Sequence, residues 1–141
     1  MVKTALDKLS VPSGSRLLGW HLIDARPDDG WIRLGFDGKA DFCNPAGFVH
    51  GGFLSAMLDD AMNQAAFIKA EGAAYPSTIS MTVNFLAPAK VGPLIVEATV
   101  TLLGKTVAFI EARLMAAAGD LLATSSGSVR MIDTAKALGK I

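Results

Sequence analysis

A polar run containing Asn44, His50, Gly51 and Gly52 leads into an apolar stretch, and a carboxylate, Asp59, stands nine positions after the histidine. Taken singly, each residue has a structural explanation. Paired glycines permit close packing, an asparagine caps a turn, and an acid on a helix faces water. Together they have the parts for attack on a carbonyl. Gly51 at a helix start offers backbone N–H groups and the positive end of the helix dipole to a developing oxyanion, with no side chain in the way. Asp59, inside an otherwise apolar helix, is costly to ionise unless something uses or pairs it. That makes it a nucleophile, a general base or an interface ion-pair partner. The single lysine of the helix, Lys69, leaves it short of partners there.

Eight residues separate Gly51 from Asp59, about 12 Å along one helix, too far for both to meet the same carbonyl. Two protomers with these helices antiparallel across a two-fold axis would bring Gly51 of one to Asp59 of the other, so the site is expected to need a homodimer. Asp60 is the rival acid. It points about 100° away from Asp59 on a helix and is read as solvated or paired at an interface. Asn63, one turn beyond Asp59 on the same face, is a candidate for substrate binding or for plain packing. Cys43 has only His50 as a nearby base and is read as a buried thiol.

The elements that must position these residues can be read from pattern. Two strands, from Arg16 to Ala25 and from Trp31 to Phe36, are expected to form a hairpin through the turn-rich Arg26-Pro27-Asp28-Asp29-Gly30. In the second, Ile32, Leu34 and Phe36 alternate with Trp31, Arg33 and Gly35, the period of a sheet with one buried face. Residues 37–50 hold too many breakers for a regular element and are read as a loop. From Gly51 to about Lys69 there is no proline and no interior glycine, and Gly72 follows. This predicts a helix of about five turns, apolar all round and therefore central. Four strand-like runs follow: Ser77 to Leu86, Leu94 to Leu103, Thr106 to Met115 and Leu121 to Ile132. The turns at Gly104-Lys105 and Ala118-Gly119-Asp120 suggest an antiparallel meander. The expected class is α+β, an antiparallel sheet wrapped around one long helix.

A chain of 141 residues with no polar linker is expected to be one domain over 1–141, its core spanning about 16–132. Apolar residues make up 51% and charged ones 18%, an excess that favours surface buried between subunits. Thirteen basic against 13 acidic residues, with no basic run, exclude the footprint of nucleic-acid binding. A lone cysteine excludes an intramolecular disulfide, and two histidines add little toward a metal site, so no metal is expected. The start of the chain reads as a short amphipathic helix over about 2–10 without a signal-peptide core, which suggests the cytoplasm. The acids and amides within Gly51 to Ala70 make a membrane span costly, so no membrane partner is expected.

The stretch from Asn44 through His50-Gly51-Gly52 to Asp59 resembles the hotdog-fold thioesterases of the phenylacetic-acid-degradation type, within the 4-hydroxybenzoyl-CoA thioesterase superfamily. The segment Thr82 to Gly92, with Pro88, Ala89 and Lys90, resembles that family's next signature. The resemblance spans about 16–132 and implies a hotdog fold and hydrolysis of an acyl-CoA. CoA would enter as part of the substrate, with no separate cofactor. It places Asp59 at the acidic position that attacks the thioester or activates water, and Gly51 where a backbone N–H polarises the carbonyl. Asn44 and His50 fall where water is oriented or the loop supported, and Gly52 adjoins the substrate. Counting back from Pro88, Thr78 falls where relatives carry a hydroxyl near the carboxylate, with Ser77 as the alternative. An acyl pocket walled by Phe53, Met57, Met62, Phe85 and partner residues is expected, in a homodimer or homotetramer. Two other readings remain: a non-catalytic acyl-CoA binding module, and an acyl-CoA dehydratase on the same fold, which would need a histidine and an acid side by side.

Overall fold

The alternation along 31–36 becomes a strand whose inner residues, Ile32, Leu34 and Phe36, have no solvent exposure at all. The computed structural model describes residues 2–139. Its strands are β1 (His21–Arg26), β2 (Trp31–Gly38), β3 (Ala74–Phe85), β4 (Gly92–Leu103), β5 (Val107–Ala116) and β6 (Leu121–Asp133). All pair antiparallel in one sheet of order β1-β2-β4-β5-β6-β3. The helices are α1 (Ser13–Leu17), α2 (Gly51–Lys69) and α3 (Thr134–Leu138).

The long helix α2 has the bounds its breaker-free sequence predicts. Leu54, Met57, Leu58, Ala61, Met62 and Ala65 are buried in one cluster with Leu34, Val96, Ile110 and Leu114 of the sheet. Each large side chain so buried contributes about 1.5–3 kcal/mol of transfer free energy. The close approach of helix and sheet needs a glycine at one point. A Cβ on Gly127 of β6 would lie 2.6 Å from Met62 Cε and 2.7 Å from the Ser80 carbonyl oxygen.

Three expectations are corrected. The meander comprises β4, β5 and β6 only. β3 pairs with β6 at the far edge, not with β4 that follows it in the chain. No helix spans 2–10. Thr4 and Asp7 form a capping box that starts a single 3-10 turn over Ala5–Lys8, after which Leu9 is extended. The run is too short for cooperative helix formation without packing along its whole length. Met1 lies outside the described residues. Finally, β1 begins at His21 and not at Arg16, because Ser13–Leu17 is helical and Gly19, at φ +76°, turns the chain before the strand.

Candidate active site

Asp59 projects from the third turn of α2 and meets two donors. Thr78 of β3 donates its hydroxyl to Asp59 Oδ1 at 2.6 Å, and Asn63 Nδ2 donates to the same oxygen at 3.1 Å. Asn63 Nδ2 also lies 2.9 Å from Thr78 Oγ1 and 2.8 Å from the Asp59 carbonyl oxygen. The proton order is therefore fixed: the amide donates to the hydroxyl, and the hydroxyl donates to the carboxylate. Asp59 Oδ2 accepts no hydrogen bond from the described residues. Asn63 Oδ1 is buried with no partner among them.

Thr78 owes its position to an irregularity in β3. Thr78 pairs with Val129 and Ser80 with Ser128, so Ile79 is an extra residue on the β3 side. In a regular strand Thr78 and Ser80 would share a face. Here the bulge reverses the parity. Ser80 contacts Ser128 on the outer face, whereas Thr78 shares the inner face with buried Val129 and reaches α2. Ser77 pairs with exposed Arg130 and, although it borders the cavity, makes no contact with Asp59. The hydroxyl that meets the carboxylate is Thr78.

Asn44, His50, Gly51 and Gly52 form a second group, at the N-terminus of α2. Asn44 Oδ1 accepts from the N–H groups of Ala46 at 3.0 Å and Phe48 at 3.1 Å, and the Asn44 N–H donates to the Phe48 carbonyl at 2.8 Å. Asn44 thus shapes the loop before the helix. His50 is the N-cap residue, exposed, with no side-chain cap bond. The first backbone donors with acceptors are Phe53 and Leu54, both bonded to the His50 carbonyl. Those of Gly51 and Gly52 have no acceptor among the described residues, as the first turn of a helix requires. A Cβ on Gly51 would lie 3.0 Å from the Phe85 ring, so Phe85 packs beside Gly51.

Asp59, Asn63 and Thr78 border a cavity of about 760 Å³, whereas Gly51, His50 and Asn44 do not. Its apolar wall differs from the one expected. Phe53 belongs to it, but Met57 and Met62 are fully buried in the core, and Phe85 lies at the other group. Phe67 at the far end of α2 and Tyr75 and Pro76 of β3 add to it, and Leu9, Val11, Pro12, Leu17 and Trp20 supply much of the rest. Sequence reasoning missed this N-terminal segment, since its two short helical turns carry no sustained periodicity.

Asp60 is half-buried rather than fully solvated, and it makes no ion pair among the described residues. Its carboxylate accepts from Ser15 Oγ at 2.8 Å and from Gln64 Nε2 at 3.0 Å. Burial pushes its carboxyl above the ordinary value. The bonds from Ser15 and Gln64 pull the other way, and the charge of Asp59 adds to the rise. Cys43 is only partly buried, with its thiol 3.7 Å from the Lys39 carbonyl. No helix among the described residues is long and apolar enough to cross a membrane.

No curated protein matches the chain. Among solved structures, a phenylacetic acid degradation-related protein of Ralstonia eutropha JMP134 is 28% identical. It superposes with a TM-score of 0.83 over 89% of this chain and 95% of that one. A thioesterase family protein of Silicibacter pomeroyi is 26% identical, with a TM-score of 0.83 over 92% and 96% of the two chains. The PaaI protein from the phenylacetic acid degradation operon of E. coli shares the fold at 22% identity, with a TM-score of 0.77 over 86% and 85%. The family model of the thioesterase superfamily matches residues 46–123, which run from the loop before α2 to the inner face of β6. With a sheet wrapped around α2 and this match over more than half its length, the chain belongs to the thioesterase superfamily and has the hotdog fold.

Proposed function

We propose that the protein is an acyl-CoA thioesterase, hydrolysing an aryl- or fatty acyl-CoA to the free acid and CoA, with Asp59 as the reacting carboxylate. The observation that carries this reading is the Asp59–Thr78–Asn63 cluster at the edge of an apolar cavity. Two donors occupy Oδ1, and Oδ2 is left without a partner. Thr78 and Asn63 hold the carboxylate in one orientation, which is the condition for effective attack. Oδ2 then either adds to the thioester carbon or takes the proton of a water that adds to it. In both routes the carbonyl oxygen gains charge in the tetrahedral state, the C–S bond breaks and CoA leaves as a thiolate; the first route leaves a mixed anhydride on Asp59, which water then cleaves to the free acid and the carboxylate. CoA is part of the substrate, and the chemistry asks for no metal or separate cofactor.

The N–H groups of Gly51 and Gly52 are the donors suited to the carbonyl oxygen. Since about 12 Å of helix separates Gly51 from Asp59, the complete site joins Asp59 of one protomer to the Gly51 loop of another. The edge position of β3, paired on one side only, supports a homodimer formed there. Exposed Leu102 and Phe109, opposite each other on β4 and β5, support further association to a homotetramer. The outer sheet face is not uniformly apolar, however. Glu97 lies between Arg33 at 3.3 Å and Arg113 at 2.9 Å. We place the enzyme in the cytoplasm, where acyl-CoA is made and used.

The deciding experiment is free-thiol release from a panel of aryl- and fatty acyl-CoAs. Wild type should turn over at least one member. Asp59→Asn should be slower by about 10²–10⁴-fold, and Asp120→Asn, in the exposed β5–β6 turn, should match wild type. No thiol release across the panel, with bound acyl-CoA recovered intact, would instead assign the cavity to ligand binding.

A further inference from the structure

Asp59 and Asp60 are adjacent on α2, yet both border the same cavity and are held from opposite sides. β3 holds Asp59 through Thr78, and the N-terminal segment holds Asp60 through Ser15. Behind Asp60 the network continues: Gln64 Nε2 donates to Asp60 Oδ1 at 3.0 Å, and Trp20 Nε1 donates to Gln64 Oε1 at 2.8 Å. Two residues of α2 thereby fix both ends of the span from Ser15 to Trp20. Ser15 is only 5% exposed, one of two polar residues so deeply buried among those described.

That anchorage matters because the span has little stability of its own. α1 has five residues and no side-chain cap at its N-terminus, far below the length at which an isolated helix persists. Its Leu17 is nevertheless 57% exposed and, like Leu9 at 38%, faces the cavity. Apolar side chains displayed toward an open cavity beside a reacting carboxylate suit an apolar ligand group.

We propose that residues 9–20 form the acyl-side wall of the Asp59 cavity, and that Asp60 is a positioning residue that fixes this wall through Ser15, with Gln64 and Trp20. The assignment rests on the thioesterase reading for the identity of the ligand and adds its class: an apolar, medium-length acyl chain lying against Leu9, Val11 and Leu17. Asp60 does not touch the thioester; it acts through the segment it holds.

The test compares acetyl-CoA, whose acyl group has little apolar surface to bury, with decanoyl-CoA. In Asp60→Ala the ratio of kcat/KM for decanoyl-CoA to that for acetyl-CoA should fall about tenfold, equivalent to about 1.4 kcal/mol. The loss should lie in KM rather than kcat. Ser15→Ala should give the same change, the double variant no more than either single one, and Asp60→Asn, which can still accept from Ser15, a partial return toward wild type. An equal loss on both substrates, or no change in the ratio, overturns the proposal. If wild type cleaves neither substrate, the thioesterase reading is decided by the full panel of aryl- and fatty acyl-CoAs, and the wall is tested separately by binding. In a Trp31→Phe background, Trp20 fluorescence should change on titration with the thioether S-decyl-CoA, with about tenfold weaker binding in Asp60→Ala. An unchanged Trp20 signal, or equal binding by both proteins, overturns the wall itself.

Discussion

Thr78 and Asn63 act on Asp59 as a unit, because one amide proton donor steers the hydroxyl that in turn steers the carboxylate. Removing the hydroxyl in Thr78→Val deletes a hydrogen bond to a charged group worth about 1.5–3 kcal/mol. The expected result is a fall in kcat of about 10–100-fold, restored by Thr78→Ser. In a double-mutant cycle, Asn63→Ala should add less on the Thr78→Val background than on wild type, and full additivity would mean that the two act separately. Asp60 makes a different prediction, in stability against pH. Burial raises its folded-state carboxyl above the ordinary 3.8, so the folded chain holds this proton more tightly than the unfolded one. Its contribution to stability is therefore complete below about pH 3.8 and lost as pH rises through the folded value. Asp60→Asn cannot ionise, so urea denaturation over pH 4–8 should show wild type losing stability relative to the variant as pH rises. A wild type that gains on the variant would reverse the sign. Asp59 was legible in the sequence from its spacing to His50. Asp60 was not, because an angle on a helix says nothing of which distant segment covers that side.

At the level of elements, the sequence was most informative where one physical pattern ran long enough to dominate. The α2 helix is legible from end to end because Gly51–Lys69 carries no interior breaker, and β2 and β4 are legible by alternation. Pairing was less so: nothing in the residues of β3 says that it lies beside β6 and forms an edge, since that choice is made by the whole sheet. Nor does the sequence reveal the bulge at Ile79, because Thr78-Ile79-Ser80 reads as regular alternation while the register advances by one on β3 alone. The bulge lets Thr78 face inward while Ser80 faces outward. Deleting Ile79 would leave Thr78 opposite Val129 and Ser80 opposite Ser128 as neighbours in a regular pairing, still on opposite faces, so the Thr78–Asp59 contact should survive. Activity close to wild type is expected, with folding retained by circular dichroism; a loss as large as in Thr78→Val would show that the bulge itself is needed. Gly127 gives a stability counterpart. Gly127→Ala must displace the Ser80 carbonyl or Met62, an overpacking expected to cost about 1–3 kcal/mol in chemical denaturation.

For the whole molecule, the two halves of the proposed site lie at separate places in one chain: the carboxylate at the cavity, and the free N–H groups at the start of α2 near Phe85. If two protomers complete each other, a dimer has two sites, each using Asp59 of one chain and Gly51 of the other. Gly51→Pro is a selective way to remove the donor. Proline is tolerated at the first position of a helix, where it deletes only the N–H. His50 already has the extended backbone, φ −61° and ψ 138°, that a following proline requires. The one steric neighbour, Phe85, is 53% exposed and has room to swing aside. Gly51→Pro and Asp59→Asn should each be nearly inactive alone. Co-expressed in equal amounts, half of the dimers formed at random are mixed, and each mixed dimer has one site with both wild-type groups and one with neither. Activity should therefore return to about a quarter of wild type. Separation of the mixed dimer by two affinity tags should raise this to about half. Mixed dimers with no activity would mean that Gly51 of one chain and Asp59 of the other do not complete a site together.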